Sequence, residues 1–239
     1  MAGHSKWKNI QGRKNAQDSK RGKIFQKLSR EIYMAAKQGG DPEMNPALRL
    51  ALDKAKSANM PNDNVQRAIK RATEAGAGEN YDEVTYEGYG PNGVAVLVQT
   101  LTDNRNRTGS NIRTAFTHNG GTLAERGSVA FQFERKGYIA IERQNLDVDE
   151  DTMLMAVLEA GGDELITSDE AFEIFTAPAD FIDVRDELEQ TYPLAQAELT
   201  MTPTVTIDLD AENLATFEKM IDALEDDDDV TDVIHNANY

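Results

Sequence analysis

Residues 138–176 read YIAIERQNLDVDEDTMLMAVLEAGGDELITSDEAFEIFT. Short segments rich in β-branched and aromatic residues, Tyr138–Glu142, Glu164–Thr167 and Phe172–Thr176, read as strands, and Glu150–Ala160 between the first two reads as a helix. A helix over Ala179–Glu189 and a strand over Gln196–Met201 complete the series. The resulting βαββαβ order is the ferredoxin-like pattern, which assigns residues 136–202 to one α+β domain.

On the N-terminal side of this unit, strands are predicted near Val84–Glu87, Val94–Leu101 and Val129–Phe133, with a helix over Asn106–His118. On its C-terminal side come a strand at Thr204–Leu209, a helix at Ala211–Glu225 and a strand at Val230–His235. Three elements are too few for a domain, so they are expected to return and complete the sheet begun at Val84. The middle α+β domain is then discontinuous, 81–135 and 203–239, with the ferredoxin-like unit inserted into it. The fold class is α+β.

Residues 1–76 read differently. Ile24, Phe25, Leu28, Ile32 and Ala35 recur at helical spacing, and this first helix stops at Gly39 and Gly40. A second helix starts with Asn45 as N-cap and Pro46 behind it, buries Leu48, Ala51, Leu52 and Ala55, and stops before Met60 and Pro61. A third starts from Asn62 or Asp63 and buries Val65, Ala68, Ile69 and Ala72. Residues 1–16 show no apolar period and read as a basic arm ahead of a three-helix domain.

Charge is divided sharply along the chain. Residues 1–71 hold 16 Lys and Arg against 6 Asp and Glu, a balance of +10, whereas the remainder holds 9 against 36, a balance of -27. Such asymmetry points to a polyanion at the basic end, and the acidic body repels polyanions from everywhere else. The chain has no cysteine, which excludes disulfides, thiolate zinc sites and cysteine nucleophiles and fits a reducing, cytoplasmic setting. Its longest apolar stretches, Val94–Val98 and Met153–Leu158, are far too short for a membrane span, and the basic N-terminus lacks the apolar core of a secretory signal.

Several strings are highly specific: MAGHSKW (1–7), AQDSKRGKIF (16–25), NMP (59–61), YEGYGP (86–91), LTDNRNRT (101–108) and FERKG (133–137). Together they resemble the YebC family over essentially the whole chain. That family includes bacterial proteins described as probable transcriptional regulators and a mitochondrial translational activator of a cytochrome oxidase subunit. The resemblance implies a three-domain fold, no cofactor and a role in transcription or translation.

The candidate contacts follow from residue type. Lys6, Trp7 and Lys8 combine two phosphate-seeking charges with the single tryptophan. The indole reads either as a platform for an unpaired base or as a pin that holds the arm to the protein. Arg13, Lys14, Lys20, Arg21, Lys23, Lys27 and Arg30 offer a field for phosphates without a base code. Arg105 and Arg107, in the TDNRNRT string at a predicted helix start, read either as anion ligands beside exposed N–H groups or as partners of neighbouring acids behind an Asp103 or Asn104 cap.

Other motifs fail on context. GYGPNG (88–93) matches G-x-G-x-x-G but precedes a strand, so it reads as a hairpin turn. Asp147, Asp149 and Asp151 begin like a calcium loop, yet Thr152 and Leu158 stand where glycine and glutamate are required, and these acids suit the first turn of a helix instead. Asp226–Asp229 reads as a solvated turn closing the last helix. His4, His118 and His235 show no metal-ligand spacing. No nucleophile motif or P-loop appears, so the expectation is a non-enzymatic protein without metal or cofactor. Its expected partner is nucleic acid, either DNA under a transcriptional regulator or ribosomal or transfer RNA under a ribosome-associated factor. The acidic domains leave room for a protein-interaction module, and no membrane is involved.

Overall fold

The structure, a computed structural model, describes Trp7 and residues 21–74 and 80–238. Three helices come first: α1 (Arg21–Ala36), α2 (Pro46–Ser57) and α3 (Asn62–Glu74). They are followed by β1 (Asp82–Tyr89), β2 (Ala95–Thr102), α4 (Arg105–His118), β3 (Thr122–Leu123), β4 (Phe133–Glu142), α5 (Glu150–Ala160), β5 (Glu164–Thr167), β6 (Ala171–Thr176), α6 (Phe181–Glu189), β7 (Gln196–Pro203), β8 (Ile207–Asp208), α7 (Ala211–Glu225), β9 (Val230–His235) and β10 (Ala237–Asn238). The chain is α+β and divides into two compact units. One comprises Trp7, Arg21, Arg49–Met60 and Arg135–Met201; the other comprises Gly22–Leu48, 61–74, 80–134 and 202–238. The three N-terminal helices form as expected; α2 from Arg49 onward falls in the first unit, α1 from Gly22 and all of α3 in the second.

In the first unit the sheet order is β5-β6-β4-β7, the arrangement a ferredoxin-like βαββαβ series produces. The register of β4 on β6 runs antiparallel from Gly137 opposite Thr176 to Glu142 opposite Ala171. Because side chains alternate across a strand, Ile139, Ile141, Phe172 and Ile174 share one face, where Met153 and Val157 of α5 and Phe181, Val184 and Leu188 of α6 cover them. Tyr138, Ala140, Ala171 and Phe175 share the opposite face, and Trp7 packs there. This double cover explains why β6 is buried at every position instead of alternating. Helix α5 starts where Asp149 accepts the Thr152 N–H at 2.8 Å, with Glu150 and Asp151 in its first turn, so the aspartate cluster is a helix start.

The second unit contains a sheet of order β3-β1-β2-β9. Strands β1 and β2 form an antiparallel hairpin closed at Tyr89 opposite Ala95. Its turn is a short 3₁₀ element, Pro91–Gly93, in which Asn92 and Gly93 take φ values of 57° and 76°, so GYGPNG is a hairpin turn. Ile112 and Phe116 of α4 and Phe217, Met220, Ile221 and Leu224 of α7 bury against Val94, Val96, Val98, Val230 and Val233. Strand β9 joins β2, so the C-terminal segment does return to the sheet begun by β1. Two details differ from expectation. The strand predicted over Val129–Phe133 is a 3₁₀ turn, Ala130–Gln132, and pairing starts only at Phe133. The strand predicted over Thr204–Leu209 is reduced to β8, which pairs in parallel with β10 in a separate two-stranded sheet.

Asn45 ends the turn between α1 and α2. Its Oδ1 accepts the Leu48 N–H at 3.1 Å while its amide donates to the carbonyls of Ala35 and Gly39 at 2.8 and 2.7 Å. One residue thus caps two helix ends, and Pro46 follows where its missing N–H is harmless.

Candidate nucleic-acid interface

The site begins with the basic face of α1. Lys23, Lys27 and Arg30 recur every three or four residues and therefore lie on one side of the helix. In the structure this side meets the last turn of α7 and the acidic run behind it. Lys23 Nζ donates to the Asp226 carbonyl at 3.2 Å and pairs with its Oδ2 at 3.0 Å. Lys27 Nζ donates to the Glu225 carbonyl at 2.5 Å, and Arg30 Nη1 to the Asp228 carbonyl at 3.0 Å. The C-terminal carbonyls of a helix lack intrahelical donors and carry partial negative charge, so two lysines are well placed there. Burial pulls the Lys27 ammonium below the ordinary lysine value, against the opposing pull of Glu225, Asp227 and Asp228.

Asp229 joins this face to the TDNRNRT string. Its side chain is only 4% exposed. One carboxylate oxygen accepts from Arg30 Nη1 at 3.1 Å. The other accepts from Arg107 Nη2 at 2.6 Å, Thr108 Oγ1 at 2.8 Å and Thr102 Oγ1 at 3.1 Å. Burial alone would raise this carboxyl; the bonds from Arg107 and Thr108 outweigh it and hold the group below the usual carboxylate range. Asn104 caps α4 by accepting the Arg107 N–H at 3.1 Å, and Asp103 takes a second bond from Arg107 at 2.8 Å. Arg105 pairs with Asp82 at 2.8 Å.

The sequence-predicted contacts therefore separate into groups. Lys23, Lys27 and Arg30 are brought together, but onto carbonyls and carboxylates of the chain's own acidic run. Asp226–Asp229 is accordingly a docking segment for α1 and not merely a solvated turn. Arg105 and Arg107 match the cap-and-acid-pair reading of their string. Arg21, exposed at the start of α1, makes an interaction of its own. Trp7 is 2% exposed, and its backbone N–H donates to Glu173 Oε1 at 2.6 Å. Glu173 also accepts from the Tyr138 hydroxyl at 2.8 Å. Base stacking by Trp7 would require an open indole face, which this burial removes; the pin reading fits the geometry. Lys6, Lys8, Arg13, Lys14 and Lys20 lie outside the described residues.

Sequence reasoning missed the meeting of α1 with 225–229, because no local pattern signals contacts some two hundred residues apart. It also missed Glu87, a buried carboxylate in β1 that accepts the N–H groups of Gly127, Val129 and Ala130 at 2.6, 2.8 and 2.9 Å. An acid next to Gly88 within a strand was its only sequence signal. Among the described residues, no helix is long and apolar enough to cross a membrane.

Comparison with known proteins agrees along the whole chain. Residues 5–75 match the TACO1/YebC protein N-terminal domain, and 81–237 match the TACO1/YebC second and third domain. A probable transcriptional regulatory protein of Enterococcus faecalis is 68% identical over 239 residues, covering 99% of each chain. One from Ligilactobacillus salivarius is 62% identical over 240 residues, covering 100% of this chain and 99% of its own. A conserved hypothetical protein from Aquifex aeolicus, Aq1575, has a crystal structure that superposes with a TM-score of 0.82 at 43% identity, covering 92% of this chain and 91% of that one. Matched from its basic start to its last strand, the chain belongs to the TACO1/YebC family.

Proposed function

We propose that the protein is a non-enzymatic regulator of gene expression that binds nucleic acid through its basic N-terminal segment. The observation that carries this reading is the division of charge, +10 over residues 1–71 and -27 beyond. The names of its relatives, probable transcriptional regulatory proteins, support the regulatory role. Lys6, Lys8, Arg13, Lys14, Lys20 and Arg21 are the proposed phosphate contacts. Lys23, Lys27 and Arg30 would contribute only by exchanging the acidic run for phosphates. On this reading residues 1–76 serve as the nucleic-acid domain of a three-domain, cytoplasmic protein, with 81–135 plus 203–239 and 136–202 as its acidic body.

The pairing of α1 with its own acidic run favours an RNA target over a DNA groove. A groove-reading helix must present several side chains to base edges, and the basic side of α1 is turned to the protein. Phosphate contacts alone suit a structured RNA such as ribosomal or transfer RNA, with action in translation. Crosslinking in cells, followed by identification of the nucleic acid and of the modified peptides, tests both points. Adducts on peptides within residues 1–30 are expected, with RNA recovered in excess over DNA. Recovery of no nucleic acid would overturn the binding, and recovery of duplex DNA alone would overturn the choice of RNA.

A further inference from the structure

Phe131 is 74% exposed, in a chain whose other phenylalanines supply much of both cores. It stands in the 3₁₀ turn Ala130–Gln132, and the backbone on either side of it is fixed. Glu87 accepts the N–H groups of Gly127, Val129 and Ala130, and the Tyr89 hydroxyl donates to the Ser128 carbonyl at 2.8 Å. On the far side, the Gln132 carbonyl accepts from the Thr204 N–H at 2.9 Å and from its hydroxyl at 3.0 Å. Val129 and Phe133 are buried, so the loop sinks its neighbours and holds one ring out. Burial would raise the Glu87 carboxyl; three backbone N–H bonds outweigh it and leave the group ionised at neutral pH. The clamp is therefore permanent under ordinary conditions.

A phenyl ring exposed on a fixed backbone has no hydrogen-bonding group, so it offers only a flat apolar face. Arg126, exposed in the same loop five residues before Phe131 and close enough to act electrostatically on Glu87, supplies a cation to that loop. An exposed aromatic face and an exposed arginine on one loop can stack an unpaired base and reach its phosphate. A backbone already held in place has little conformational entropy left to lose when a base settles on the ring. We infer that Phe131, with Arg126, is a second nucleic-acid contact that stacks an unpaired base of a single-stranded RNA segment. This inference rests on the nucleic-acid reading and deepens it.

The test measures binding of the full chain to oligouridine and to a duplex RNA, each across a range of salt. Phe131→Ala should weaken binding to oligouridine by about 5- to 150-fold, spare the duplex and leave the salt slope unchanged, because stacking releases no counterions. Phe131→Tyr should bind as the wild type does. Arg126→Gln should lower the oligouridine salt slope by about 0.7. In a Trp7→Phe background, Phe131→Trp should show an exposed indole emission that oligouridine quenches. If Phe131→Ala binds oligouridine like the wild type, the contact does not exist, and a protein partner for the ring is the remaining explanation. If it weakens duplex and single strand equally, the ring is not stacking. Loss of binding in a variant lacking the N-terminal charges, with Phe131→Ala silent, would sink this contact alone. A wild-type chain that binds neither RNA would sink the parent reading as well.

Discussion

Replacing Asp229 with alanine should destabilise the second unit by about 3 kcal/mol, because one side chain serves four donors. Thr102 and Thr108 are fully buried, and each bonds the same carboxylate oxygen, at 3.1 and 2.8 Å. A hydrogen bond to a charged group is worth about 1.5–3 kcal/mol. Part of that is recovered, since Thr108 can still donate to the Asn104 carbonyl at 3.1 Å and the two hydroxyls lie 2.7 Å apart. The arginines add little to the figure: Arg30 keeps the Asp228 carbonyl and Arg107 keeps Asp103, and Arg107 is half-exposed, so its pair is screened. Urea unfolding followed by circular dichroism measures the change. With a slope of about 2 kcal/mol/M, the midpoint should fall by roughly 1.5 M. Asp229→Asn keeps the shape and one acceptor, so its loss should be about half as large. Thr108→Val combined with Asp229→Ala should be less than additive by about 1 kcal/mol. A loss below about 1 kcal/mol in the alanine variant, or strict additivity, would refute the view that this carboxylate organises the loop.

Three further outcomes follow from the same contacts. Trp7→Ala should cost about 3 kcal/mol of thermal stability by emptying its place against Tyr138 and Phe175, with equal consequences for single-stranded and duplex targets; a selective loss on single strands would restore the stacking role. Asp226→Asn, which releases Lys23 from its carboxylate partner, should tighten RNA binding at low salt by about 1.5- to 5-fold, an effect that fades as salt rises; unchanged affinity would mean that α1 does not reach the ligand. Glu87 and Asp229 are both held below the usual carboxylate value, so their stabilisation is complete above about pH 5, where the unfolded groups are also ionised, and is lost as pH falls through their lowered values. Acid titration of stability should therefore steepen below about pH 4, and Glu87→Gln or Asp229→Asn should flatten that decline.

How much of this was legible depends on whether the deciding contact was local. The helix at Ala211–Glu225, the strand at Val230–His235 and the cap at Asn45 follow from spacing and residue type, and the structure reproduces them. The ferredoxin-like order was legible because each element carries its own pattern. The strand predicted at Val129–Phe133 failed because Glu87 takes the N–H groups of Val129 and Ala130 that a ladder would need. At Thr204–Leu209 the failure has the same origin: Thr204 bonds the Gln132 carbonyl, and only Ile207 and Asp208 pair with another strand. The candidate site was legible as charge and illegible as arrangement. Nothing in KRGKIFQK or EDDDD states that one neutralises the other. Likewise the pair of buried Arg185 with half-buried Asp53, at 2.7 Å, joins residues 132 positions apart, and partial burial drives the Asp53 carboxyl above its ordinary value despite the arginine.

The central claim is that nucleic acid is held electrostatically at the N-terminal end, and the slope of log affinity against log salt tests it most directly. The comparison is between the full chain and the same chain with Lys6, Lys8, Arg13, Lys14 and Lys20 all changed to glutamine. The substituted chain should bind structured RNA far more weakly, and its slope should be shallower by about 0.7–0.9 for each phosphate that those side chains neutralise in the parent chain. An unchanged affinity and slope would place the binding surface elsewhere on the molecule and contradict the claim.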